Sequence, residues 1–292
     1  MFQIEGQFEV GTGALDGDLF GRQAWVGLDD ARWGTLTLGN QYEFMFMSLS
    51  MRRLGPELPY MSLTNLRQGP FDALGKPGPF SGDFDFDRMA GASRISNSVK
   101  YQSPSIGGLT FGAMYGFSNL AGGFSNQNAY SFGIDYEQPS YSIDAAYTMT
   151  KYAQINGGAD GIRNFGVDGR VAIMRGRADL LYTNTRNTFS GATINVFEVD
   201  GTVPLSYAVH LYAAYQYMAG NAVLQDNRAS AEPHARPCLV EAQRRRCERG
   251  VPACRRRQQY RACLDPVHGG AVVEREPSDR ASRHAALLLT FR

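Results

Sequence analysis

Tyr130-Ser131-Phe132-Gly133-Ile134-Asp135-Tyr136-Glu137, followed after Gln138-Pro139-Ser140 by Tyr141-Ser142-Ile143-Asp144-Ala145-Ala146-Tyr147-Thr148-Met149, is the passage on which the fold turns. Large apolar side chains recur at every second position on both sides of a short break carrying Pro139. Successive strand residues point to opposite faces, so a period of two predicts a hairpin with one apolar and one polar face. The same alternation continues outward from this passage. Before it lie Phe2–Val10, Arg22–Leu28, Thr35–Tyr42, Ser96–Gln102 and Leu109–Ser118; after it lie Asn164–Ile173, Gly176–Arg186, Asn195–Thr202 and Tyr207–Met218. The set makes eleven predicted strands. Several run nine or more residues, beyond the usual mode of about 5–6 and close to the roughly 9–11 that a tilted strand needs to cross a bilayer.

The connections alternate as well. Asp29–Gly34, Ser103–Gly108, Glu137–Ser140 and Met174–Arg175 are tight turns, whereas Gly11–Gly21, Glu43–Ile95, Asn119–Asn128, Ala153–Arg163 and Asn187–Thr193 are longer. Short turns at one end and long loops at the other describe a transmembrane β-barrel, with Tyr136 and Tyr141 where an interfacial aromatic girdle would sit. A soluble antiparallel sandwich predicts the same alternation, but with shorter strands and no such asymmetry of loops. The fold class expected is therefore all-β, an antiparallel barrel.

Composition divides the 292 residues in two. Residues 1–228 hold 16 basic and 21 acidic side chains, 30 of the 33 Gly, 32 of the 34 aromatics and no Cys. Residues 229–292 hold 13 Arg, 7 acidic side chains and all four Cys. No apolar run approaches the roughly 18 residues of a membrane helix. Met1 is followed by Phe2-Gln3-Ile4-Glu5, without the basic and apolar regions of a signal peptide. The body offers one His, His210, and no H-E-x-x-H or nucleotide-binding fingerprint, so no catalysis, cofactor or metal is expected there.

Two passages resemble the general, trimer-forming porins of Gram-negative outer membranes, in particular their β-proteobacterial branch. Gly21-Arg22-Gln23-Ala24-Trp25-Val26-Gly27-Leu28 with Trp33-Gly34-Thr35-Leu36-Thr37-Leu38-Gly39-Asn40-Gln41-Tyr42 looks like that family's fourth and fifth strands. Asn97-Ser98-Val99-Lys100-Tyr101-Gln102-Ser103-Pro104 with Gly108-Leu109-Thr110-Phe111-Gly112-Ala113-Met114-Tyr115 looks like its sixth and seventh. The resemblance covers most of residues 1–228. It implies a barrel of sixteen strands, about eleven of them here, in a homotrimer set in outer-membrane lipid. Passive passage of ions and small hydrophilic solutes is the implied role, with no nucleic-acid partner.

In that family the third loop folds into the lumen, and Glu43–Ile95 occupies its position. It carries Glu57, Asp72, Asp83, Asp85 and Asp87, with Arg52, Arg53 and Arg88 among its bases. The expected arrangement is a constriction whose acids face basic residues on the wall, creating a transverse field; the alternative is a solvated charge run on a surface loop. Read by parity, the lumen-facing charges are Glu5, Glu9, Asp135, Asp144, Asp168, Arg170, Arg177 and Asp179. Arg22 is the wall arginine that remains, since Asn40 stands where the family commonly has another. The mixture leaves ion selectivity open.

Against the family register, Phe2 falls inside the third strand, which implies an amino-terminal truncation. Beyond Asn227 the alternation stops, and Arg244-Arg245-Arg246 and Arg255-Arg256-Arg257 appear among scattered Cys. Cys238, Cys247, Cys254 and Cys263 lack the paired spacing of a zinc module. An Arg-rich nucleic-acid-binding tail on a soluble β-module remains an alternative. The preferred explanation is porin coding sequence read out of frame: a one-base shift across Gly250–Gln259 permits a segment resembling the family's fifteenth strand. The expected division is thus a partial barrel over 1–228 and an unstructured tail over 229–292.

Overall fold

The computed structural model describes residues 1–9, 11–15, 17–55, 58, 74–77, 85–118, 120–206 and 209–226, with short segments at 236–240, 261–264, 271–274 and 284–289. Each of the eleven predicted strands is present. They are β1 (Phe2–Glu9), β2 (Gln23–Asp30), β3 (Gly34–Gln41), β4 (Ile95–Gln102), β5 (Leu109–Gly116) and β6 (Ala129–Gln138), then β7 (Tyr141–Lys151), β8 (Gly161–Ile173), β9 (Gly176–Asn187), β10 (Thr193–Ser206) and β11 (Val209–Gly220). Each pairs antiparallel with its sequence neighbour. The turns at Pro139-Ser140 and Met174-Arg175 are two residues long, and longer connections occupy the opposite rim.

Two strands depart from their expected bounds or register for a visible reason. β10 continues past Thr202 through Pro204, and its register on β11 shifts between Pro204 and Ser206. Proline lacks the N–H that a regular ladder needs, and a bulge removes the need. On β3 a second shift falls between Gly39 and Gln41, with Gly39 at φ 140°, a conformation that favours glycine. Asn40, beside this bulge, donates from its amide to Gly21 O and accepts from Ser96 Oγ.

Side-chain burial gives the sheet its inside and outside. Ser131, Asp135, Ser142, Asp144, Thr148, Asn164, Asp168, Thr183 and Thr185 are buried, while their alternating neighbours Phe132, Ile134, Ile143, Phe165, Val167 and Leu180 are exposed. Phe197, Val199 and Val203 extend the outer apolar face along β10. A soluble sandwich would bury the apolar set, because about 25 cal/mol is gained per Å2 of apolar surface removed from water. The distribution here is the reverse, and it suits a sheet whose outer face meets hydrocarbon. Among the described residues no helix is long and apolar enough to cross a membrane.

The apolar core lies between the inner wall and the segment joining β3 to β4. Phe44–Phe46 forms a helical turn and Met47–Arg52 continues it as a π-helix. Phe44, Met45, Leu49 and Met89 pack with Ile95, Met114, Ala129, Ala146 and Leu181. The Phe44 ring sits so close to β5 and β6 that a Cβ at Gly112 or Gly133 would overlap it. A second cluster, with Leu74 and Phe86 against Ile162, Ile194 and Val196, fixes the loop's later part.

Short strands from the tail extend the sheet at both ends. β12 (Arg236–Val240), β13 (Arg261–Leu264) and β14 (Ala271–Glu274) follow β11, and β15 (His284–Leu289) pairs with β1. Open edges at β11 and β1 present unpaired backbone groups that an extended segment can satisfy. β14 and β15 are the two ends of the described sheet, which is not closed.

Candidate functional site

Adjacent strands bring acids into rows on the inner wall. Asp135 pairs with Asp144, and Asp144 with Asp168. One step along, Asp179 lies between Arg170 and Asp200. Glu198 sits two residues from Asp200 on the same face, and both are buried. Together these residues form an acidic belt across β6–β10, and Glu137 adds a half-exposed carboxylate at its rim.

The loop's arginines dock on this belt. Arg53 is almost wholly buried, donates to Glu198 at 2.8 Å and to Asp200, and has Asp168 at 4.0 Å. Burial works against its charge, but the carboxylates of Glu198, Asp200 and Asp168 outweigh that and raise its pKa further. Arg52 pairs with Glu137 at 2.9 Å and lies 3.7 Å from Asp144. From the wall, Arg170 donates to the carbonyls of Arg52 and Arg53 at 3.3 and 3.1 Å and lies 3.7 Å from Glu137. Arg177 lies 3.3 Å from Asp179. The loop is thereby held inside the sheet by bonds to side chains and backbone alike.

Two of the five loop acids expected at a constriction, Asp85 and Asp87, lie among the described residues. Asp85 accepts from Ala90 N at 2.8 Å and Ser93 Oγ at 2.7 Å, while its carbonyl accepts from Lys76 Nζ. Asp87 accepts from Thr183 Oγ1 at 3.0 Å and from Met89 N. Both are buried, and these bonds tie the loop to itself and to β9. Among the described residues, Arg52 and Arg53 set basic groups of the loop against acidic groups of the wall. The physical reason is that buried guanidinium groups need counter-charges, and the inward face of β6–β10 is rich in them. Arg88 pairs with Glu43 at 3.0 Å, another contact within the loop. Glu57, Asp72 and Asp83 lie outside the described residues, as does the side chain of Glu9.

Four partners in this arrangement were not among the sequence candidates. Glu198 and Asp200 lie on a predicted strand, where parity would have placed them inward with Val196 and Thr202. Glu43 caps the first helical turn, accepting from the N–H groups of Met45 and Phe46 and from Thr148 Oγ1. An acid immediately before Phe44-Met45-Phe46 was its signal. Burial raises its pKa, with Arg88 pulling the other way. Tyr42 is the fourth; its ring lies 4.5 Å from that of Phe46, with the Arg22 and Arg94 guanidinium groups at 5.9 and 5.8 Å.

The opposite wall, β1–β4, faces the loop across open space. A cavity of about 700 Å3 lies there, bounded by Glu5, Arg22, Gln23, Tyr42 and Lys100 on the wall and by Phe46, Met47 and Met51 on the loop. Arg22 pairs with Glu5 at 3.2 Å and donates to Gln7 Oε1. Among the described residues no group of three His, Cys, Asp or Glu has the arrangement of a metal site.

A sheet that is polar within and apolar without, holding its longest loop against its inner wall, is built as an outer-membrane channel. Residues 1–232 match the model of the Gram-negative porin family, and the chain belongs to that family and to the outer membrane. An outer membrane porin of Bordetella pertussis is 28% identical over 250 residues, covering 73% of this chain. The chain spans 59% of that relative's length. Among solved structures, an anion-selective porin from Comamonas acidovorans superposes with a TM-score of 0.63 at 15% identity, over 90% of this chain and 71% of the other. OmpF of Salmonella typhi, solved with daunomycin, gives 0.56 at 17% identity, over 83% and 69%. At these identities both structures speak to the fold.

Proposed function

We propose that this chain supplies the wall and constriction of a general diffusion porin. Ions and small hydrophilic solutes pass through it down their gradients, in a homotrimer, without any reaction being catalysed. The observation that carries this reading is the seating of loop residues 44–55 on the inner wall through Arg52 and Arg53, beside a cavity of about 700 Å3. Arg88, Asp85 and Asp87 brace the loop; Asp135, Asp144, Asp168, Asp179, Arg170 and Arg177 form the wall it rests on; Glu5 and Arg22 line the passage, to which strand parity alone assigns Glu9. Glu57, Asp72 and Asp83 keep the constriction role that the family resemblance gives them. The chain as it stands is read as non-functional, because an open sheet edge in lipid leaves backbone groups unsatisfied; the test is single-channel recording, in planar bilayers, of the protein with its upstream and in-frame sequence restored. Discrete steps that scale with salt concentration are expected, and a lack of any conductance counts against the reading.

Residues 229–292 are read as out-of-frame sequence. The family match ends at residue 232, inside the Asn227–Leu239 window where the alternation stops. Sequencing the gene across those codons decides the point: a one-base discrepancy is expected, and a clean, unshifted read overturns it.

A further inference from the structure

The outer face of the sheet carries two positive charges side by side. On β8 and β9, Arg163 and Arg186 stand directly opposite each other in the antiparallel register. Both fall on the outward parity: Phe165 and Val167 continue it along β8 and Leu180 along β9, all exposed, while Asn164, Thr183 and Thr185 between them are buried. Arg186 is exposed and Arg163 half-buried. Like charges directly opposite each other destabilise a sheet, and among the described residues neither guanidinium pairs with a carboxylate. The acid at this level, Asp160, accepts from Asn156 Nδ2 and Thr188 Oγ1. On the neighbouring strand β7, Lys151 Nζ donates to Ser125 O at 2.7 Å and adds a third positive charge to the rim.

The residues beneath fix the depth of the pair. Tyr182 on β9 lies 6.3 Å from Phe165 and 4.9 Å from Phe197, ring centre to ring centre, and such rings mark where a barrel passes from hydrocarbon to headgroups. Between rings and charges, Arg163 donates to Asn184 Oδ1, while Asn184 Nδ2 and the Tyr182 hydroxyl donate to Asn195 Oδ1 at 2.7 and 2.9 Å. This network holds the Arg163 guanidinium at the rim. Leu180 stands midway between the exposed turn residue Met174 and Arg186, six positions from each. Six residues at ~3.4 Å each and a tilt of ~40° rise ~15 Å along the bilayer normal, just beyond half of an apolar band ~25 Å tall. Arg186 therefore stands at the height of lipid headgroups. The connections beside the pair, residues 152–160 and 188–192, belong to the long-loop rim, which faces outward in such barrels.

We propose that Arg163 and Arg186 form a binding site for a lipid with a phosphomonoester headgroup, in the leaflet on the long-loop side. Two adjacent cations match a group of charge about −1.5 to −2 at neutral pH, and the guanidinium fork suits phosphate oxygens. The phosphate lies between the two side chains and offsets their repulsion, and the acyl chains run over Phe165, Tyr182 and Phe197 toward the bilayer centre. Those apolar contacts favour a lipid over free phosphate. The site requires that the outer face meet lipid and does not require that the lumen conduct, so it goes beyond the diffusion reading.

The test uses the barrel restored upstream and in frame, purified in a non-ionic detergent. It is titrated with phosphatidic acid and, separately, with phosphatidylcholine of the same acyl chains, and native mass spectrometry counts the lipids retained per chain. Preferential retention of phosphatidic acid is expected. Changing both residues, Arg163→Gln with Arg186→Gln, is expected to weaken that retention by about tenfold or more, the range for losing hydrogen bonds to a charged group. Arg32→Gln, at the exposed turn between β2 and β3, is expected to leave it unchanged. Inorganic phosphate at the same concentration as the lipid is expected not to displace it. Equal retention of the two lipids, undiminished retention in the double variant, an equal loss in Arg32→Gln, or displacement by inorganic phosphate overturns the proposal. If the double variant does not refold, the comparison of the two lipids on the parent barrel decides alone.

Discussion

The two inner walls of this sheet obey the same alternation and use it to different ends. On β6–β10 the inward residues include a row of buried acids, and the loop arginines Arg52 and Arg53 pair with several of them. On β1–β4 the inward residues include Gln3, Gln23, Gln41 and Thr37, and the loop stands away from them across the cavity. Charge on the first wall therefore serves attachment. On the proposed function, what a solute meets is the second wall, with its self-paired Glu5 and Arg22. A count of acidic and basic residues cannot distinguish these uses, because burial of the ion pairs decides which charges a solute can feel.

Breaking the attachment should produce the largest effect. Arg53→Ala leaves Glu198, Asp200 and Asp168 buried without their shared cation, a change worth about 3–5 kcal/mol when one member of a buried pair is removed. Denaturant unfolding of the folded chain in vesicles should show that loss, together with a wider channel as the loop leaves the wall. Stability equal to the parent's would mean that the docking contacts are incidental.

The outer face offers a contrast of a different kind. Leu180 is 62% exposed on the apolar side of β9, and Leu180→Arg should cost about 2–4 kcal/mol if that side meets the middle of the bilayer. In a water-exposed setting the same substitution would be nearly neutral, so the measured value reports which solvent the outer wall faces.

Within the loop, Arg88→Met should cost less, about 1–3 kcal/mol, because Glu43 can escape by taking up a proton. Burial already raises the Glu43 pKa against the pull of Arg88, and without that pull it rises further. A carboxyl whose folded pKa is raised contributes its stability fully below the unfolded value and loses it as pH climbs through the folded one. The deficit of Arg88→Met relative to the parent is therefore expected to be greatest near neutral pH. It should shrink as pH falls toward the ordinary glutamate value of about 4.3. A deficit that grows on acidification would contradict the assignment. The smallest effect belongs to Glu137→Gln at the rim, where the Arg52 pair is half exposed; thermal unfolding should register about 0–1 kcal/mol.

Much of the fold was legible because strand periodicity is a local property. Ser131 and Phe132 declare opposite faces within two residues, and Pro139-Ser140 marks a turn without reference to anything distant. The loop was legible as a length and not as a shape. Arg53 meets Glu198 and Asp200 across separations of 145 and 147 residues, and no local pattern records such a meeting. Parity did bring Asp135, Asp144, Asp168 and Asp179 to the inner face, where the structure has them. It could not tell that Arg52 and Arg53 of the loop would cover them. Tyr42 was invisible for a related reason: its neighbours Phe46, Arg22 and Arg94 come together only after the loop has folded back.

The central claim is that the open path runs beside β1–β4 and not between the loop and β6–β10. Because residues 1–228 contain no cysteine, the barrel restored upstream and in frame can carry a single new thiol once any cysteine outside them is changed to serine. Met51→Cys and Gln102→Cys place it at the cavity, and Thr183→Cys places it on the covered wall beside Asp87. Single-channel current in the presence of a bulky, water-soluble thiol reagent is the measurement. Irreversible block at positions 51 and 102 with none at 183 is the predicted result; block at 183, or free current after modification at both cavity positions, would contradict it.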